Sequence, residues 1–120
     1  MKKIKIGEVG VDSGQLIVCD PCYIDSEWKK EDLEMNKAGG FEPAKNSFSY
    51  PAVCAQTLGP KNYGGQLNYK MGHPGVAVAF SSGLGDGVYP VYAFIEDDRV
   101  WKVEIDMGLT KTQKQFFKKT

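Results

Sequence analysis

The sequence predicts a mostly β (α+β) fold: an antiparallel sheet, open or rolled into a small barrel or sandwich, with one or two short helices. Three observations carry this. Trp101, Val103, Ile105 and Met107 alternate with Lys102, Glu104 and Asp106, the two-residue period of a half-exposed strand. Val76-Ala77-Val78-Ala79-Phe80 is an unbroken apolar run, which reads as a central strand buried on both faces. Between such segments the chain is punctuated by turn formers, as in Asp12-Ser13-Gly14 and Glu96-Asp97-Asp98, whose side chains or missing Cβ favour reversal.

The remaining elements follow in order. Ile4, Ile6, Val9 and Val11 lie among polar residues with a strand-like rhythm, so residues 3–11 open the fold. After the Asp12–Gln15 turn, Leu16-Ile17-Val18-Cys19 reads as a second strand, which predicts a hairpin of the two. It stops at Asp20-Pro21, because proline has no N–H for a ladder. Asp25 or Ser26 is placed to cap a short helix reaching about Met35, with Trp28 as its apolar anchor and Lys29 to Asp32 as its solvated face. Residues 36–50 carry Phe41, Phe48 and Tyr50 in a loop expected to lie on the core, and Val53 to Leu58 reads as a strand.

Residues 59–75 hold five glycines and two prolines, with Tyr63, Tyr69, Met71 and His73 among them. A loop of this length is functional or an aromatic-anchored crossover, and it has room for a short strand around Gln66 to Lys70. Val88 to Ile95 is a further strand, in which Pro90 predicts an edge position or a bulge. Thr110 and Gln113 match a capping box for a last helix, whose negative end would be met by Lys114, Lys118 and Lys119.

Bulk properties narrow the function. The 120 residues lie in the size range of one domain, so 1–120 is read as a single one. Lysine plus arginine and aspartate plus glutamate number 15 each, a zero formal charge that disfavours nucleic acid as partner. The first residues lack the apolar run of a signal peptide, and no stretch is long enough to cross a membrane. Three cysteines, an odd number, argue for a reducing compartment, and the cytoplasm is the expectation.

Two turns concentrate the chemistry: Cys19-Asp20-Pro21-Cys22-Tyr23 and Gly83-Leu84-Gly85-Asp86-Gly87. A redox reading of Cys19-x-x-Cys22 needs the first thiol at a helix N-terminus, whereas Cys19 falls inside the predicted strand and no long helix follows. A zinc reading would add Cys54 and His73, but structural zinc usually takes its ligands as two close pairs, and this second pair is widely separated. A catalytic reading makes Cys22 a nucleophile, His73 its base and Asp12, Asp20 or Asp86 the orienting group of a hydrolase or transferase. The plainest reading has both cysteines filling space at a strand end, with Asp20 accepting neighbouring backbone N–H groups. Gly83-x-Gly85-x-Gly87 lacks the following helix and the lysine of a phosphate loop, and so reads as a tight connection between strands. No cofactor and no metal is expected.

Val11-Asp12-Ser13-Gly14, Asp20-Pro21-Cys22-Tyr23, Trp28, Gly85-Asp86-Gly87-Val88-Tyr89-Pro90-Val91-Tyr92 and Val103-Glu104-Ile105-Asp106 resemble a family of small uncharacterised bacterial and phage proteins. The resemblance spans most of the chain and carries no catalytic assignment. It implies that both turns belong to the family signature and that the chain is a phage or mobile-element accessory protein. Together these readings favour a binding module over an enzyme. Its ligand contacts would come from Asp12, Asp20, Cys22, Tyr23, Gly85, Asp86, Gly87 and Tyr89, and from the tyrosine-rich segment 59–75. Tyrosine suits such a surface by giving large amphipathic area at low entropic cost. The partner would be a small ligand or a protein, including a second copy in a homodimer. The catalytic alternative rests on Cys22, Asp20, Asp86 and His73.

Overall fold

The computed structural model describes residues 1–29, 33–35, 41–43, 46–58 and 61–108, with side chains at all of these except 33–35 and 41–43. Among the described residues it is mostly β, with two three-stranded antiparallel sheets and one short α-helix. No closed barrel occurs among the described residues. The chain falls into two compact units, one of residues 14–81 and one of residues 1–13 with 82–120.

In the unit of residues 14–81, β2 (Gln15–Cys19) and β5 (Gly64–Asn68) flank β6 (Pro74–Ser81). The apolar run of β6 is central as expected, but it is not buried on both faces along its length. Val76, Ala77 and Ala79 are buried while Val78 is 46% exposed. The core unites Phe48, Ala52, Val53, Leu67, Val76, Ala77 and Ala79, with Ile17, Cys19, Tyr23, Trp28 and Tyr69 packed around it. Burying Phe48 and Leu67 almost completely contributes roughly 1.5–3 kcal/mol each relative to exposure.

Two local predictions fail here for identifiable reasons. Residues 53–58 do not form a strand; they lie in and just beyond helix α1 (Tyr50–Thr57). The Ser49 hydroxyl accepts from Ala52 N at 3.2 Å and Pro51 occupies the first turn, the start signals that a short apolar run conceals. The helix expected from residue 25 to 35 is also not found at the described residues 25–29 and 33–35. Tyr23 O accepts from Glu27 N and Trp28 N, closing a compact turn. Lys29 N then donates to Phe48 O, and Leu33–Met35 (β3) pairs with Phe41–Pro43 (β4). Trp28 keeps its anchoring role from extended chain, edge-on to Phe48 at 4.9 Å between centroids. Residues 30–32 lie outside the described residues, as does the Thr110–Gln113 capping box with its lysines.

Of the loop aromatics, Phe48 is core, Tyr50 is half exposed, and the Phe41 side chain lies outside the described residues. The expected short strand in segment 59–75 is β5. Gly64 opens it at φ +147°, where an added Cβ would strike the Ala79 carbonyl, so a side chain there would be both strained and crowded.

The second unit holds β1 (Lys2–Val11), β7 (Gly87–Glu96) and β8 (Arg99–Ile105), with β7 in the centre. The predicted β1–β2 hairpin is therefore overturned: β1 pairs with β7 and β2 with β6. Alternation fixes which face a strand buries but not which strand it meets. Pro90 sits in this central strand rather than at an edge. Its carbonyl accepts from Asp106 N at 3.1 Å just past the end of the β7–β8 pairing, so the missing N–H falls where the ladder stops. The β7–β8 hairpin turns at Asp97 and Asp98, both with positive φ (53° and 58°), the type I′ pattern. Alternation in β8 is present, yet Trp101 and Val103 remain 58% and 53% exposed because β8 is an edge strand.

Candidate functional site

Asp20 precedes a single 3-10 turn, Pro21–Tyr23, and its carboxylate accepts from Cys22 N at 3.0 Å. That bond holds the Asp20 carboxyl below the usual carboxylate range, since it favours the charged form. The same carboxylate pushes the Cys22 thiol up. A thiol so placed is less ionised at neutral pH than an ordinary cysteine, the reverse of what a nucleophile or redox dithiol requires. Cys19, Cys22 and Cys54 are all free. Cys54 accepts from the Gln15 amide at 3.4 Å, and Gln15 in turn accepts from the Thr57 hydroxyl.

Tyr23 begins an aromatic series. Its ring meets Tyr69 edge-on at 5.2 Å, and Tyr69 stacks on His73 at 4.4 Å and 18°. The neighbouring Tyr69 phenol pushes the Tyr23 phenol up to about 12, so it stays protonated at physiological pH. The His73 ring makes this stack and no hydrogen bond to Cys22 among the described residues. The proposed nucleophile–base pair is not assembled. Nor do any three His, Cys, Asp or Glu side chains among the described residues gather closely enough to hold one metal ion.

The second turn is built by internal bonds. The Gly85 carbonyl accepts from the Ser82 hydroxyl at 2.7 Å and from the Tyr89 hydroxyl at 2.6 Å, while Gly85 N donates to Ser82 O. Gly85 has φ +88°, a conformation that side chains resist. Tyr89 and Ser82 are buried, so their hydroxyls need these partners and the bonds belong to the structure of the turn itself. Asp12 and Asp86 lie just beyond the Val11↔Gly87 pair at one end of this sheet, both exposed. Asp20, Cys22 and Tyr23 belong to the other unit.

The unit of residues 14–81 contains a feature that the sequence reading missed, a cleft of about 230 Å³. Three segments form it. Glu27 and Lys29 come from the coil after the Asp20 turn, Asn46, Ser47 and Phe48 from the stretch before α1, and Asn68, Tyr69, Lys70 and Gly72 from the end of β5 and the turn after it. Asn68 N donates to Asn46 O and Lys29 N to Phe48 O, so backbone bonds tie the three walls together. Lys70 N donates to Glu27 Oε2 at 3.1 Å, and the Lys70 ammonium donates to Ser26 O. Phe48 is almost wholly buried, which makes one wall rigid and apolar.

The polar groups of the cleft are unevenly satisfied. Asn46 Oδ1 accepts from Gln56, Ser47 pairs with Ser49, and Glu27 is engaged by Lys70. The Lys29 ammonium forms no ion pair, and the Asn68 side-chain amide forms no hydrogen bond, among the described residues. Tyr69 links this cleft to the predicted signature, since its ring bears on Tyr23 and His73 and also lines the cleft. The sequence signals for the site were the tyrosine-rich stretch and Phe48, read there as a core aromatic; residues 46 and 47 carried none.

No helix among the described residues is long and apolar enough to cross a membrane. No curated protein and no solved structure matches the chain. A family model described as a protein of unknown function, DUF4241, matches residues 4–105, a span that includes both turns and all three walls of the cleft. The chain therefore belongs to the DUF4241 family.

Proposed function

We propose that the protein is a binding module, and that the cleft between residues 27–29, 46–48 and 68–72 takes a small polar molecule carrying a carboxylate or phosphate. The observation that carries this reading is the half-buried Lys29 in the cleft with no counter-ion among the described residues. A cation in a partly desolvated cleft attracts an anion more strongly than one in open water. The Asn68 amide supplies a donor and an acceptor beside it. The Tyr69 ring, braced by Tyr23 and His73, offers a preorganised apolar wall. Few polar groups converging beside an aromatic wall is the usual make-up of a ligand site.

On this reading the Asp20–Tyr23 turn supports the cleft through Tyr23 and Tyr69 rather than touching ligand itself. The role fits a cytoplasmic accessory protein of a phage or mobile element, which would need recognition rather than turnover. The test is native mass spectrometry of the protein purified from its own host. The expected result is a co-purifying small anion that is lost in Lys29→Ala while the variant keeps its melting temperature. An adduct retained in Lys29→Ala, or none in the wild type, overturns the reading.

A further inference from the structure

The sheet of β1, β7 and β8 has two edges, and they differ in how they are protected. β1 carries Lys2, Lys3 and Lys5 and a register slip at Ile6 in mid-strand, the charges and bulge that discourage strand addition. β8 has its slip near its start, between the pairs of Phe94 and Ile95, which leaves Lys102 to Asp106 regular. Its Val100, Trp101 and Val103 are 57%, 58% and 53% exposed. In the other unit the edge strand β2 spans only Gln15–Cys19 and ends against Pro21, a short and blunted edge.

The hydrogen-bond phase of β8 is set by Asp106, whose N–H donates inward to Pro90 O. Bonding direction alternates along an antiparallel strand. Glu104 and Lys102 therefore also bond inward, to Tyr92 and Phe94, with which they pair. Val103 and Ile105 consequently turn their N–H and C=O groups outward. None of these outward groups has a backbone partner among the described residues.

We propose that β8 pairs antiparallel with β8 of a second copy about a two-fold axis at Val103. This inference is independent of the cleft. Centring the pair there sets Val103 opposite its own counterpart, in the phase where both outward N–H groups find outward carbonyls. The same register sets Lys102 of each copy opposite Glu104 of the other, and Trp101 opposite Ile105. The segment Trp101-Lys102-Val103-Glu104-Ile105 of β8 is thus self-complementary in charge and apolar side chains at once. Two-fold pairing uses one surface twice, so each favourable contact occurs in duplicate. Opposite charges facing across strands stabilise a pair and like charges destabilise it.

Sedimentation velocity of the full chain across the micromolar range tests this. The expected result is a dimer in reversible equilibrium. Lys102→Glu and Glu104→Lys, each setting like charges opposite twice, should weaken it by about tenfold or more. The double variant should restore it. Val103→Pro removes an outward N–H without taking a bond from the β7 ladder, and should also yield monomer. A wild-type monomer throughout, a dimer unmoved by either single charge change, or a double variant that stays monomeric would overturn the proposal.

Discussion

The two three-stranded sheets share a plan, a long central strand between two edges, yet they divide the work of the fold unequally. The β2-β6-β5 sheet buries a seven-residue apolar cluster and is tied to α1 through Val53, Thr57 and Gln56. The β1-β7-β8 sheet buries Val11, Tyr89 and Ala93 among its apolar residues. Its other face is dressed by cations over rings: Lys3 lies 4.5 Å from the Tyr92 centroid and Lys102 lies 4.7 Å from that of Phe94. Cation–π contacts at exposed sites contribute roughly 0.5–1 kcal/mol each, much less than a buried aromatic side chain. The first sheet is a scaffold able to hold a cleft rigid; the second is a surface with an open edge.

Three substitutions break or sharpen that contrast. Phe48→Ala should cost about 3–5 kcal/mol, because it removes a fully buried ring and leaves a cavity beside Trp28. Trp101→Ala, a larger truncation on the other sheet, should cost only about 1 kcal/mol, the worth of its bond to Glu96 O. Chemical denaturation of both variants compares them directly, and equal losses would erase the distinction. Tyr89→Phe should cost roughly 1 kcal/mol, since it removes the hydroxyl that closes the Gly85 turn and leaves the ring in place. The same denaturation series reads it.

The smallest effect concerns Asp20. Its folded-state pKa lies below the unfolded value, so its contribution is present above about pH 4 and is lost as pH falls through the folded value. Asp20→Ala should therefore lower the melting temperature at pH 6, and the gap from wild type should close as the pH drops below about 4. A gap independent of pH would mean that the carboxylate charge plays no part in the turn.

How much of this was legible in the sequence depends on the kind of signal. Strand positions with strong periodicity or unbroken apolar runs, such as residues 3–11 and 76–80, were readable, because burial imposes a pattern on each strand separately. Strand partners were not: Asp12-Ser13-Gly14 carries turn-forming residues whether or not the flanking strands pair, and here they do not. The α1 helix was hidden because its eight residues present only Ala52, Val53 and Thr57 to the core, too few for a helical period to stand out. The Asp20–Tyr23 turn was found, and its Asx-type bond read correctly, because that chemistry is local. The cleft was not, since Lys29, Asn46 and Asn68 meet through backbone bonds between segments far apart in the chain.

The most direct test of the central claim is a backbone-amide nuclear magnetic resonance titration with a panel of small carboxylates and phosphates. The account predicts a bound member whose shifts concentrate on residues 27–29, 46–48 and 68–72 and vanish in Lys29→Ala. Shifts centred instead on Gly85 to Tyr89, or none from any member of the panel, would contradict it.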